Sequence, residues 1–331
     1  MRYLITGGCG FIGANLSRLL ARRGCRLRVL DDLSVGSPEA LPGCVEIRAG
    51  SILDAGALRS ACSGVDVVVH LAAQTGVVTS IRDPLADFEA NARGTLLALM
   101  AARDAGVGSF VMASSNAPLG AAEPPVHEGI PARPLSPYGA SKLCGEAYLS
   151  AFHGSYGLRT TALRFANAYG PWSTHKTSVV AQFFRDAVVE GRLVVYGDGR
   201  QTRDFVHAED IARAIVAAAE RGQGGEVYNV GTGRETSVGW LAERVASLVE
   251  RPVRVEYLPA RKGEIVRTFV DIGKARRELG YEPRVELADG LRETWEWFRS
   301  RCADPAHAFA EAHSAGALGA SAAPLQPRGK A

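Results

Sequence analysis

Arg-Tyr-Leu-Ile-Thr-Gly-Gly-Cys-Gly-Phe-Ile-Gly, residues 2–13, is the stretch whose reading decides the fold. Residues 2–5 have the length and apolar content of a buried strand, and beyond Gly13 apolar positions recur at helical spacing to about Arg23. The stretch is therefore a strand, a glycine turn and a helix. Gly7, Gly10 and Gly13 give G-x-x-G-x-x-G: such glycines allow a tight turn, close backbone approach to a pyrophosphate, and close helix packing with the helix N-terminus facing the anion. A lone glycine triplet is often only a turn. The next strand, 27–30, ends at Asp31-Asp32, where an acid can accept hydrogen bonds from an adenosine ribose diol. An acid there also repels a 2′-phosphate, so the combination predicts NAD rather than NADP; the plain alternative is a turn followed by a solvated acid pair.

Working outward, strands are expected at 45–48, 66–73, 109–113 and 160–164, with helices between them and a long helical pattern over 84–105. Alternation of this kind predicts an α/β fold, a Rossmann-type doubly wound parallel sheet whose ligands bind beyond the strand carboxyl ends. The pattern after residue 166 is less regular, with helices at 179–190, 209–221, 238–250, 272–279 and 287–301 and strands at 193–196, 227–230 and 253–258. It reads as a smaller mixed α/β substrate domain interleaved in the C-terminal half. The expected partition is 1–166 plus about 207–225 for the NAD-binding domain, and 167–206 plus about 226–302 for the other. Residues 303–331 are rich in Ala, Ser, Gly and Pro and read as a disordered tail.

Composition narrows the function. At 331 residues and 47% hydrophobic the chain can bury a large core, and 38 Lys plus Arg against 35 Asp plus Glu argues against a nucleic-acid surface. Six cysteines, at 9, 25, 44, 62, 144 and 302, show no C-x-x-C pair and no metal-ligand spacing, so free thiols and no metal are expected. Met1 leads straight into an apolar strand and no run approaches the length of a membrane span, which reads as a cytoplasmic protein without a membrane partner.

The chemistry concentrates at Ser136-Pro-Tyr-Gly-Ala-Ser-Lys142. If Pro137 opens a helix, Tyr138 and Lys142 lie four residues apart on one face, and an ammonium beside a phenol favours the phenolate, a usable general base. Such a pair also occurs by chance on solvated helices. Ser115 follows the strand at 109–113, at the ligand-binding edge. His70 ends the strand before Leu71-Ala72-Ala73 and reads as a packed strand-end histidine rather than a catalyst.

Over about residues 1–300 the chain resembles the extended short-chain dehydrogenase/reductases, and within them the NAD-dependent nucleotide-sugar 4-epimerases of the UDP-galactose/UDP-glucose type. The motifs are Thr6-Gly-Gly-Cys-Gly-Phe-Ile-Gly13, His70-Leu-Ala-Ala73, Asn91 with Gly94-Thr95, Ser114-Ser115, Tyr138-Gly-Ala-Ser-Lys142, Leu163-Arg-Phe-Ala-Asn167 and Arg203-Asp204-Phe205. The resemblance implies Tyr138 as base, Lys142 as the group that lowers its pKa and binds the nicotinamide ribose, and Ser115 as hydrogen-bond partner of the reacting sugar oxygen. It further implies NAD contacts from Gly7, Gly10, Phe11, Ile12, Asp31, Asp32, Ser51, Ile52, Leu71, Ala72, Ala73, Asn91 and Phe165. The implied substrate contacts, besides Ser115, are Asn116, Asn167, Val180, Tyr196, Arg203, Arg261, Glu264 and Thr268. A homodimer is implied too, through helices around 84–105 and 137–155, with Leu96, Leu99 and Leu143 as outward apolar residues that could equally face the sheet.

There are departures. Ser115-Asn116-Ala117-Pro118-Leu119-Gly120 lacks the Val-Tyr that relatives carry before the glycine, and Ser51 stands where an Asp usually contacts adenine. Thr268 replaces a bulky Tyr of relatives restricted to plain hexoses, and the polar segment Trp172-Ser-Thr-His-Lys-Thr-Ser178 leaves His175 and Lys176 as either substrate contacts or cleft cover. The resemblance implies transient oxidation at C4 of a nucleotide-diphosphate sugar, a UDP-sugar first among candidates, and return of the hydride to the other face. In related 4,6-dehydratases an Asp-Glu pair follows the active hydroxyl; here it is Asn116-Ala117, neither of which transfers a proton near neutrality. Decarboxylation, 4-keto reduction and a catalytically idle dinucleotide sensor are the other readings.

Overall fold

The structure, a computed structural model, describes residues 1–260 and 265–301. Seven strands form one parallel sheet in the order β11-β6-β5-β4-β1-β2-β3: β1 Arg2–Thr6, β2 Arg26–Asp31, β3 Glu46–Ala49, β4 Val67–His70, β5 Ser109–Ser115, β6 Arg159–Phe165 and β11 Glu226–Val230. From β1 the chain runs to β2 and β3 on one side, then crosses to β4 on the other. That reversal opens a crevice beyond the carboxyl ends of β1 and β4. Strand β11, which the expected partition gave to the smaller unit, pairs with β6 from Glu226↔Thr161 to Val230↔Phe165 and completes the large sheet.

Both faces of the sheet are covered. Leu16 and Leu20 of α1 (Phe11–Arg22) and Ile211 and Ile215 of α8 (Ala208–Arg221) pack on one face with Ile5, Val69 and Val111. Leu58 of α2 (Ala55–Cys62), Leu99 of α5 (Gly94–Asp104) and Leu149 of α6 (Pro137–Tyr156) pack on the other. Strands buried on both faces explain the unbroken Val67-Val-Val run of β4. Leu99, entertained as outward-facing, is fully buried in this core. The exposed apolar residues of this region include Val77, Val78 and Ile81 of α3 (Val77–Arg82), Leu85 of α4 (Pro84–Asp87), Phe88 and Met100.

The long helix expected over 84–105 is two helices, α4 and α5, joined by a π turn at Phe88–Arg93 that holds Asn91. Helix α6 begins as its sequence demands: the Ser136 hydroxyl accepts from Gly139 N (3.2 Å), Pro137 occupies the first turn, and Gly157 ends the helix with φ +70°.

The rest of the chain builds short pairs around a third core. Strands β7 (Asn167–Tyr169) and β10 (Phe205–His207) pair in parallel, as do β8 (Arg192–Tyr196) and β13 (Arg254–Leu258); β9 (Thr202–Arg203) and β12 (Thr236–Ser237) are antiparallel. Phe184 of α7 (Val179–Val189), Leu241 of α9 (Val238–Leu248) and Phe298 of α11 (Leu287–Arg301) fill that core, and α10 (Gly273–Leu279) returns to the large sheet beside β11. No helix among the described residues is long and apolar enough to cross a membrane.

Candidate active site

Helix α1 starts at Gly10, whose backbone is extended and supplies no side-chain cap, so the first-turn N–H groups face the turn from Gly7. Gly7 has φ +68°, and a Cβ there would lie 2.6 Å from the Ala72 backbone nitrogen. A Cβ at Gly13 would meet the Gly8 backbone at 2.4–2.6 Å, so that glycine is what lets the helix lie against the turn. At the end of β2, Asp31 accepts from Cys9 N and Leu33 N, both at 2.9 Å, which fixes a buried carboxylate against the turn. Asp32 is exposed and accepts from Ser34 N (3.0 Å) and Ser34 Oγ (2.6 Å).

A close backbone turn, uncapped N–H donors and an adjacent carboxylate are the donor and acceptor set of a dinucleotide pyrophosphate and ribose diol, so these residues fit NAD. Phe11 is buried and Ile12 half-buried at the start of α1, and Leu71, Ala72 and Ala73 continue β4 as half-buried backbone along the crevice. Ser51 uses its hydroxyl to accept from Leu53 N (3.1 Å), Ile52 is buried in the core beneath α2 and α5, and Phe165 ends β6.

Asn91, an implied NAD contact, is buried and held within the protein. Its amide accepts from Gln74 N and donates to Gln74 O, each at 2.9 Å, and donates to Asp87 Oδ1 at 2.8 Å. These three bonds employ the side chain in fastening the segment after β4. The other oxygen of Asp87 is buried without a hydrogen-bond partner. Its charge bears on both Tyr138 and Lys142.

Tyr138 and Lys142 share one face of α6, as expected from their spacing. Lys142 is 5% exposed and its Nζ donates to Ala113 O at 3.0 Å, lying 5.8 Å from the Tyr138 ring centroid. Burial pushes the Lys142 ammonium down to about 8, with the charges of Asp87 and Glu146 opposing and Lys176 adding to the shift. The spacing predicts that Lys142 pulls the Tyr138 phenol down. Instead burial pushes the phenol up, and the opposing influence is a hydrogen bond with Ser115. The physical reason is that desolvating a phenolate outweighs an ammonium already held by a carbonyl.

One constellation joins Ser114 and Arg164, which belong to two of the motifs, through Glu146, which belongs to none. Arg164 Nε and Nη2 donate to the two oxygens of Glu146 (2.9 and 2.6 Å), and Ser114 Oγ donates to Glu146 Oε1 (2.5 Å), with all three residues buried. The pair ties the ends of β5 and β6 to α6 directly behind Lys142, four residues before Glu146. His70 bonds Thr6 Oγ1 (2.8 Å) and Thr95 Oγ1 (3.2 Å), and burial drops it to about 3, which makes it a neutral bridge in the core.

Across the crevice, a cavity of about 240 Å³ is lined by Asn167, Val180, Tyr196 and Arg203 among others. Four of the implied substrate residues therefore meet at one wall. Asn167 N and Nδ2 donate to Asp204 O, and Arg203 Nη1 donates to the carbonyls of Thr202 and Ile265. Thr268 donates its N–H to Thr202 O (3.3 Å) and does not line that cavity; Arg261 and Glu264 lie outside the described residues. Asn116 is half-buried next to Ser115 with its Oδ1 unpartnered, and Ala117 N donates to Ser115 Oγ (3.2 Å).

A doubly wound sheet with its glycine turn at the switch point, and a Ser, a Tyr and a Lys gathered at the carboxyl edge, define an enzyme of the extended short-chain dehydrogenase/reductase class. The chain belongs to the NAD dependent epimerase/dehydratase family, whose profile matches residues 3–231. A UDP-glucose 4-epimerase of Mycolicibacterium smegmatis is 37% identical over 311 residues, covering 91% of this chain and 99% of that one. A dTDP-glucose 4,6-dehydratase of Streptomyces niveus is 36% identical over 314 residues, covering 90% and 93%. Among solved structures, the UDP-glucose 4-epimerase of Thermotoga maritima with UDP-glucose superposes with a TM-score of 0.84 at 36% identity, covering 91% of this chain and 99% of that one. Epimerases and dehydratases thus stand at near-equal identity, so the reaction has to be argued from the site.

Proposed function

We propose that the protein is an epimerase that inverts C4 of a nucleotide-diphosphate sugar, with a UDP-sugar as the first candidate. The observation that carries this reading is the identity of the two residues after Ser115. Elimination of water across C5 and C6 needs an acid and a base beside the sugar, and Asn116 and Ala117 supply neither. The carboxylate of Glu146 is committed to Arg164, and Asp87 is buried at the end of α4, bonded to Asn91.

Tyr138 Oη takes the proton from the sugar 4-hydroxyl while Ser115 holds the same oxygen, and Tyr138 returns that proton when the 4-ketose is reduced on its other face. Lys142 lies behind the phenol and supports its anion by charge. Asn167 and Arg203 hold the nucleotide diphosphate at the cavity wall, where a guanidinium suits a buried phosphate. NAD, held by the Gly7 turn and Asp31, supplies the hydride acceptor and donor and, when oxidised, a positive ring charge that favours a nearby phenolate.

A homodimer is proposed as well. The exposed apolar strip of Val78, Ile81, Leu85, Phe88 and Met100 supports it, and light scattering checks it. The reaction is tested by incubating the protein with UDP-, TDP-, GDP- and ADP-sugars and following the sugar by NMR. A C4-inverted product is expected; a 4-keto-6-deoxy sugar or a pentose replaces the reading with dehydration or decarboxylation.

A further inference from the structure

The segment between β7 and α7 spans the two halves of the molecule. At one end Asn15 Nδ2 of α1 donates to Pro171 O (2.9 Å), and the Arg18 guanidinium lies over the Trp172 ring at 4.2 Å. At the other end Arg185 Nη2 of α7 donates to the carbonyls of Thr174 (2.8 Å) and Lys176 (2.9 Å), which fixes the course of the chain at Lys176. The Lys176 ammonium crosses to the Rossmann side and donates to Thr75 Oγ1 at 3.2 Å. There it lies near enough to Lys142 for the two ammoniums to repel. Lys176 is half-buried, its partner is a neutral hydroxyl, and among the described residues no carboxylate pairs with it. The next residues along the chain, Thr177, Ser178 and Val180, line the cavity with Asn167 and Arg203.

Lys176 therefore stands between the wall that takes the diphosphate and the Tyr138–Lys142 end, over the space a sugar would fill. A desolvated ammonium without a counter-ion is costly, and a ligand that brings an anion to it gains a charge-assisted bond. The other anions already have their donors, the dinucleotide pyrophosphate at the start of α1 and the substrate diphosphate at Arg203. We propose that Lys176 is a specificity residue that reads a carboxylate on the sugar, so that the preferred substrate is a nucleotide-diphosphate uronate. This rests on the cleft being the nucleotide-sugar site of the proposed epimerase.

The test compares UDP-glucuronate with UDP-glucose on the NAD-loaded protein, measuring Kd and kcat/KM for the wild type, Lys176→Gln and Lys176→Arg. Gln keeps a donor for Thr75 but no charge, so a mere latch across the cleft survives that change. The wild type is expected to favour the uronate. Lys176→Gln lowers the uronate-to-hexose ratio by about 10- to 100-fold, the worth of one charge-assisted hydrogen bond, and Lys176→Arg restores most of it. An unchanged ratio, an equal loss on both sugars, or binding of neither overturns the proposal. NMR of the product separates it from the proposed reaction. A Lys176-dependent uronate preference that yields a pentose upholds this inference and refutes C4 inversion, whereas C4 inversion without uronate preference does the reverse.

Discussion

Glu146→Leu removes the carboxylate that binds Arg164 and Ser114 behind Lys142. The wild-type pair is 6% and 4% exposed at its side chains, so deletion leaves a guanidinium charge buried and unpaired, with Nη1 already lacking a partner. Breaking one partner of such a pair costs about 3–5 kcal/mol, and orphaning the Ser114 hydroxyl adds about 1 kcal/mol. At roughly 1.5 °C per kcal/mol for a chain of this length, the melting temperature should fall by about 6–9 °C. Glu146→Leu with Arg164→Met removes both charges and should lie within about 2 kcal/mol of wild type, because an apolar replacement of a buried pair is often near neutral. Urea unfolding followed by tryptophan fluorescence gives both values. A single variant that loses less than about 1 kcal/mol, or a double variant as damaged as the single, refutes the reasoning. A second readout is chemical: Glu146 holds the Lys142 ammonium up, so its loss should carry Lys142 below about 8 and move the alkaline limb of the pH–rate profile to lower pH.

Tyr138→Phe should lower kcat by about 10²- to 10⁴-fold while the denatured protein still releases NAD as the wild type does; an undiminished rate removes the phenol from the role of base. Gly7→Ala forces a side chain into φ +68° and 2.6 Å from the Ala72 backbone, so a loss of at least about 2 kcal/mol in stability and weaker NAD binding are expected in calorimetry. Wild-type NAD affinity in that variant would remove the turn from the cofactor site. Burial drops His70 to about 3, and His175 and His207 each to about 4, so the unfolded chain binds more protons than the folded one between those values and 6.5. Stability is therefore fully present above about pH 6.5 and is lost as the pH falls toward 4, by up to about 1.4 kcal/mol per pH unit for each histidine. Asp204, pushed up by burial, offsets this only near the acid end of the window. A flat stability profile from pH 6.5 to 4 contradicts the assignment.

The sheet and its crevice are legible in the sequence because local signals agree there: glycines at fixed spacing, an acid at a strand end, an apolar run too continuous for a one-faced strand, and Ser-Pro at a helix start. What stays hidden is long-range. Glu146 and Ser114 are separated by 32 positions and Glu146 and Arg164 by 18, so no periodicity links them. Asn91 stands out in its motif, but its amide serves the backbone of Gln74, a partner that spacing alone does not reveal. Strand β11 falls at the expected residues but in the other unit, because a parallel strand carries no mark of the neighbour it pairs with. The pKa of Tyr138 shifts against expectation since a spacing of four fixes which side chains share a face, while burial is set by everything packed around them.

The π turn at Phe88–Arg93 means that the rod from Pro84 to Asp104 carries one residue more than a regular coil of the same pitch would need. The wide turn absorbs that extra residue and keeps the two halves in phase; tightening it to the ordinary repeat with the residue retained would rotate the upstream half by about 100° against the downstream half. Asp87 would then swing away from the lysine it faces, even with every side chain unaltered. The angular phase of this helix is thus a parameter of the site in its own right, and it is set by the width of one turn rather than by the identity of any one residue.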